Sequence, residues 1–168
     1  MLILGIDPGL RATGYAFLQG LPGGVELVDH GLVRTDDDAP LPDRLRRIHS
    51  ALSALLEQHR PSQVAVEDLY AAQRYPRTAI LMGHVRGVVC LAAAELAIEV
   101  TALPPAAVKQ AISGFGAASK EQMQAAVQRL LRRPQPLDTH VSDAVAICLT
   151  ALSREGVPLR LRAQEVAP

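Results

Sequence analysis

An α/β fold with a mixed five-stranded sheet flanked by helices is predicted by three features of the sequence. The chain opens on short apolar runs separated by turns rich in Gly and Pro. Helical periodicity takes over near residue 42, and from there helices alternate with two further strand-like runs. The chain has 168 residues, 49% of them apolar, which suits one domain with a full core.

Residues 2–7 (LILGID) read as a buried strand that ends on Asp7 and turns at Pro8-Gly9. Residues 13–18 form a second strand, with Tyr15 and Phe17 on one face and Ala16 and Leu18 on the other. After a turn at 21–24 (LPGG), residues 25–35 complete an antiparallel meander. Asp36, Asp37, Asp38 and Pro40 make an acidic loop that reads as solvated. Residues 42–59 are an amphipathic helix: Leu45, Ile48, Leu52, Leu55 and Leu56 share a stripe that excludes Arg44, Arg46, Arg47 and Glu57. Arg60-Pro61 stops it, and residues 63–67 (QVAVE) form a strand that again ends on an acid, Glu67.

Residues 78–98 predict a long helix, apolar on more than one side, with Gly83 and Gly87 spaced for close helix approach. His84, Arg86 and Glu95 interrupt it, which fits a buried helix better than a membrane span. Such a helix needs cover from the sheet and from a second subunit. Residues 99–103 are the fifth strand, and 104–112 a short helix stopped near Gly114. Ser119 and Gln122 open a helix over 119–132 with a capping-box pattern. Pro134 and Pro136 break it, and 140–152 form the last helix. Residues 1–153 then make the domain, with 154–168 a loosely attached tail.

Seventeen basic and 17 acidic residues give no net charge, so a nucleic-acid site must be a local basic patch. Cys90 and Cys148 each sit in an apolar stretch and read as core thiols of a reducing compartment. Met1 leads directly into a strand rather than a basic leader, so a cytoplasmic protein is expected. Gly5, Gly9 and Gly14 do not fit G-x-G-x-x-G, and no G-x-x-x-x-G-K-[ST] stretch occurs, which removes the common dinucleotide and P-loop readings.

A carboxylate ending a buried strand is costly unless its charge is compensated. If the strands ending in Asp7 and Glu67 are neighbours, both acids emerge at one edge, where α/β sheets build their sites. In THVSDAVAI, His140 and Asp143 stand three apart on one helical face, and the rest of that helix is apolar enough to pack on the sheet. Three converging carboxylates repel one another unless cations intervene. Hard divalent ions, Mg²⁺ or Mn²⁺, suit oxygen ligands. Two of them about 3.5–4 Å apart would serve phosphodiester cleavage. The competing reading of Asp7 is a side chain that caps the Pro-Gly turn.

The segments GIDPGLRATGYA, VAVEDLY, GHVRGVV, PAAVKQAISGFGAASKEQM and HVSDAVAI, in this order, resemble the RuvC family of crossover junction endodeoxyribonucleases. The resemblance runs from Leu2 to about Leu152. It implies a ribonuclease H-like fold, a homodimer, Mg²⁺ or Mn²⁺, and resolution of four-way (Holliday) DNA junctions by paired symmetric nicks. It also implies that Asp7, Glu67 and Asp143 are catalytic acids and metal ligands. The family's further Asp is replaced here by His140, whose imidazole can still ligate a divalent metal or position water. The rival for that place is Asp138, which also reads as the N-cap of the last helix.

Lys109 and Lys120, the chain's two lysines, fall where the family carries basic residues near the scissile phosphate. Ordinary solvated helix lysines are the alternative. Tyr70 falls where the family presents an aromatic to an unpaired base, although it could instead roof the core. Arg74, Tyr75 and Arg77 suit a phosphate track. Arg86 could face DNA or pair with an acid across the dimer, and the long helix at 78–98 matches the family's dimer helix. Proteins that drive branch migration are a further possible partner. Three rivals stay open on sequence alone: a ribonuclease H-like enzyme that processes ribosomal RNA, a junction-binding module without catalysis, and an actin-like nucleotide hydrolase.

Overall fold

The computed structural model describes residues 1–68, 76–132 and 134–159. Its five strands are β1 (Leu2–Asp7), β2 (Ala12–Leu21), β3 (Gly24–Arg34), β4 (Gln63–Glu67) and β5 (Glu99–Leu103). Its helices are α1 (Leu41–His59), α2 (Pro76–Glu95), α3 (Pro105–Ser113), α4 (Lys120–Leu130) and α5 (Thr139–Arg154). The strands form one sheet in the order β3-β2-β1-β4-β5. The meander β1-β2-β3 is antiparallel, while β4 and β5 add in parallel beside β1.

Strand alternation decides which side each residue serves. On one face Leu4, Ile6, Phe17, Val64 and Val66 pack under α1 and α2 together with Ile48, Leu52 and Leu56. On the other, Ile3, Ala16, Leu18 and Ala65 pack under α5, with α3 and α4 beyond it. Asp7 has the parity of Ile3 and Gly5, and Glu67 that of Ala65. Both acids therefore end their strands on the α5 side.

Helix α5 is apolar almost all round, with an unbroken buried run from Ala144 to Leu152. It rests on β1 and β2 at unusually close range because two strand glycines lie beneath it. A Cβ on Gly5 would strike the Ala144 carbonyl oxygen and the Cys148 amide, and a Cβ on Gly14 would strike the His140 carbonyl. Cys148 seals the contact, its Sγ donating toward the Ile3 and Ala16 carbonyls at 3.2 Å. Burial pushes this thiol up to about 12, so it stays protonated and inert. Both cysteines are free, with Cys148 buried and Cys90 half-buried.

Helix α2 corrects an expectation. It is the one helix among the described residues long and apolar enough to cross a membrane, and it is only 22% buried over that stretch. Val85, Val89, Ala92 and Ala93 cover the sheet beside α1, but Ile80 and Leu91 lie 61% and 53% exposed on the outer face. The sequence reads as an apolar helix, and in one chain part of that apolar surface, at Ile80 and Leu91, faces outward. At the start of the segment expected as a tail, Val157 and Leu159 pack partly buried against the α5-side core. The Val157 amide also bonds to the Leu152 carbonyl at 3.0 Å.

Candidate active site

The parallel register pairs Ile6 with Val66, which sets Asp7 and Glu67 side by side at the carboxyl edge of the sheet. Helix α5 brings His140 and Asp143 over the same edge, because Gly14 lets its first turn touch β2. His140 Nδ1 lies 2.7 Å from Asp7 Oδ2, and the Asp7 side chain is 13% exposed. With the proton on Nδ1, the ring donates to Asp7 and leaves Nε2 as its other nitrogen.

Asp138 does something else. It accepts from the His140 amide at 2.9 Å as the N-cap of α5 and faces Arg34 at 3.8 Å. Of the two rivals, His140 is the one in contact with Asp7.

Lys109 and Lys120 approach from α3 and from the first residue of α4. They line a cleft of about 230 Å³ with Glu67, Asp143, Val108, Met123 and Ile147. Lys120 Nζ stands 3.5 Å from Asp143 Oδ2. The predicted capping box holds the base of this lysine: the Ser119 amide donates to Gln122 Oε1 at 2.8 Å, and the Gln122 amide to Ser119 Oγ at 3.3 Å. A larger hollow of about 580 Å³, lined by Phe115, Gln122, Gln128, Arg129 and Arg132, lies on the opposite face of α4 and has no acid in its wall.

The electrostatics fit an edge that awaits positive charge. Burial raises Asp7, the His140 hydrogen bond pulls it back, and the charge of Asp143 raises it again. Glu67 is pushed up to about 7 by burial, then by the charges of Asp7 and Asp143 against the pull of Lys109 and Lys120. Burial raises Asp143 too, while Lys120 opposes it. Among the described residues, no three His, Cys, Asp or Glu side chains are gathered as a ready cage for an ion. The acids hold protein partners instead, Asp7 with His140 and Asp143 with Lys120. The donor chemistry, oxygen-rich and under-compensated, still fits a hard divalent cation.

A stability prediction follows from Glu67. Its folded value near 7 exceeds its ordinary 4.5, so the folded metal-free protein takes up a proton that the unfolded chain releases. Metal-free stability should therefore fall as pH rises from about 4.5 to about 7. Solvent access at the rim limits the effect to ~1–2 kcal/mol. Glu67→Gln should raise the metal-free melting temperature at pH 7.5 and flatten its pH dependence. Thermal melts in EDTA at several pH values check this, and a lower melting temperature in the variant would contradict it.

The remaining candidates divide. Arg77 is exposed at the start of α2. Tyr70, Arg74 and Tyr75 lie outside the described residues. Arg86 pairs with Asp68 of its own chain at 3.3 Å. The cradle glycines Gly5 and Gly14 were missed as site-building residues, although glycine inside a strand signals close backbone approach.

A family profile described as crossover junction endodeoxyribonuclease RuvC matches residues 3–151. The crossover junction endodeoxyribonuclease RuvC of Rhodopirellula baltica is 44% identical over 150 residues, 88% of this chain and 83% of that one. The Thermus thermophilus RuvC structure superposes with TM-score 0.82 at 34% identity, covering 94% of this chain and 98% of its own. The T. thermophilus RuvC structure in complex with Holliday junction substrate gives 0.84 at 34% identity, covering 93% and 96%. With its mixed sheet of ribonuclease H-like topology and its acids at the shared edge, the chain belongs to the RuvC family of crossover junction endodeoxyribonucleases.

Proposed function

We propose that the protein resolves Holliday junctions as a homodimer, each subunit nicking one strand so that the two cuts are symmetric. The observation that carries this reading is the meeting of Asp7, Glu67 and Asp143 at one sheet edge beside two lysines. The family relationship supports it, as does the T. thermophilus relative described with Holliday junction substrate. Neither the ribosomal-RNA reading nor the actin-like reading gains support from these relatives.

Asp7, Glu67, Asp143 and His140 would hold Mg²⁺ or Mn²⁺, two ions per site. When bound, such ions polarise a water for attack on phosphorus and stabilise the leaving 3′-oxygen, which leaves 5′-phosphate and 3′-hydroxyl ends. The residues themselves supply orientation. His140 fixes one Asp7 oxygen, and Asp138 fixes the turn that carries His140. Lys109 and Lys120 face the cleft where a scissile phosphate would lie. Arg74 and Arg77 would track the backbone and Tyr70 would stack on an unpaired base at the branch point. The two free thiols suit a reducing, cytoplasmic setting. Branch-migration proteins would bring the junction to the dimer.

The exposed apolar face of α2 supports the dimer, since Ile80 and Leu91 lie uncovered in one chain. Two identical sites match the two-fold symmetry of a four-way junction. Leu91→Glu should convert the dimer to monomer in sedimentation and remove paired nicking. An unchanged dimer would move the interface elsewhere. The function itself is tested by offering a synthetic four-way junction, a linear duplex and a linear RNA precursor with Mg²⁺, Mn²⁺ or EDTA. Paired nicks confined to the junction and absent in EDTA are expected. Cleavage of the RNA alone, or junction binding with no nicking under either metal, would overturn the reading.

Asp138→Ala and His140→Ala separate the two candidates for the fourth position. His140→Ala should lower metal-dependent nicking by about 10²-fold, a typical loss for a group that ligates or orients at a metal site. Asp138→Ala should cost only ~1 kcal/mol of stability through the lost cap. The reverse ranking in a nicking assay paired with thermal melts would reassign the site.

A further inference from the structure

We propose that Lys120 is a tethered counter-ion that holds Asp143 until DNA arrives, so that binding of the strand and binding of a divalent cation reinforce each other. The inference rests on the nuclease reading and adds to it an order of events. Three observations carry it.

First, the two partly buried acids are compensated in different ways. Asp7 is met by an imidazole on the same helix that carries Asp143, a short side chain with little freedom to leave. Asp143 is met by a lysine from another helix, with a long flexible stem and a side chain 55% exposed. Second, the stem is anchored at one end only. The capping box fixes the backbone at the first turn of α4, while the side chain lines the cleft and is half-exposed. Third, Lys109 lines the same cleft but forms no ion pair among the described residues. The cleft thus holds two cations, of which one is paired with Asp143 while the other pulls on Glu67 without a direct ion pair and can meet a phosphate.

An ammonium and a divalent cation compete for the same carboxylate oxygens, and both cannot hold them at once. A phosphodiester entering the cleft offers Lys120 a new anionic partner and releases Asp143. Any ligand that draws Lys120 away must then tighten cation binding, and by reciprocity the cation must tighten binding of that ligand. The device would keep the site from committing its acids to cations before substrate is in place.

The test uses the whole protein and Mn²⁺ as the probe. Free Mn²⁺ is followed by electron paramagnetic resonance without DNA, in wild type, Lys120→Met, Lys120→Arg and Lys109→Met, with circular dichroism confirming the fold. Lys120→Met should bind Mn²⁺ about tenfold more tightly than wild type, while Lys120→Arg stays within about twofold of it. Lys109→Met removes an equal charge that pulls on Glu67 without pairing with Asp143, so it should tighten Mn²⁺ clearly less than Lys120→Met does, by about threefold at most. Nicking of a four-way junction by Lys120→Met should be half-saturated at lower Mn²⁺ than wild type and yet proceed more slowly, because the phosphate loses its lysine. Equal tightening by the two methionine variants would show a general field effect and overturn the exchange. Unchanged or weaker Mn²⁺ binding by Lys120→Met would overturn it as well. Absence of Mn²⁺ uptake by all four proteins would sink the nuclease reading, and the exchange with it.

Discussion

Asp7→Asn is expected to reduce nicking of a four-way junction by ~10³-fold or more while leaving junction binding in EDTA intact. The loss corresponds to ~4 kcal/mol of transition-state stabilisation, the scale on which metal-ligand charge acts in phosphoryl chemistry. Asparagine matches aspartate in shape and keeps an oxygen that can accept from His140 Nδ1, so the 2.7 Å contact survives. The change removes the charge. It also relieves the repulsion that Asp7 imposes on Glu67, so the metal-free variant should be no less stable than wild type. A labelled junction, a gel shift in EDTA and a thermal melt read the three quantities. Nicking retained at a tenth of wild type or above would remove Asp7 from the chemistry.

Gly14→Ala should be nearly as damaging although it adds a single methyl group. The new Cβ would fall on the His140 carbonyl carbon and oxygen, which are backbone atoms at the first turn of α5 and cannot swing aside. Relief requires α5 to lift from β2. The cost of such overpacking is about 1–3 kcal/mol in stability. The functional loss is larger than stability alone predicts, because α5 carries both His140 and Asp143. A displacement near 1 Å at a reacting centre costs about 10²-fold. Gly5→Ala meets the Ala144 carbonyl and the Cys148 amide and should act alike, whereas Gly23→Ala, with open space around it, should do neither. Melts and nicking rates on the three variants check the ranking. Wild-type nicking by Gly14→Ala would mean that the seat of α5 does not set the site.

Much of this molecule follows from short-range rules. LILGID and QVAVE each read as a buried strand that ends on an acid, so Asp7 and Glu67 emerge at one edge if the two strands are neighbours. The stripe of Ile48, Leu52 and Leu56 defines α1, and Ser119 with Gln122 marks the start of α4. The contacts between distant segments are different. His140 and Asp7 are 133 positions apart, and no local pattern says that the ring turns toward the acid. Arg86 offered two partners outside its own chain, and tertiary packing gave it Asp68 within that chain. Val157 lies beyond a helix end, where composition suggests a frayed terminus. It is held because Gly20 and Leu152 leave an apolar hollow that it fills. The family resemblance supplied the roles of Asp7, Glu67 and Asp143, and the packing of α5 on Gly5 and Gly14 supplies the reason they meet.

The central claim is that these acids, gathered at one sheet edge by strand register and the seat of α5, bind divalent cations between them. Anomalous diffraction from crystals soaked in Mn²⁺ measures this directly. A manganese peak bounded by Asp7, Glu67 and Asp143 is the predicted result, with Lys120 Nζ withdrawn from Asp143. No peak at that edge, in crystals of a protein that nicks junctions in the same Mn²⁺ solution, would contradict the account.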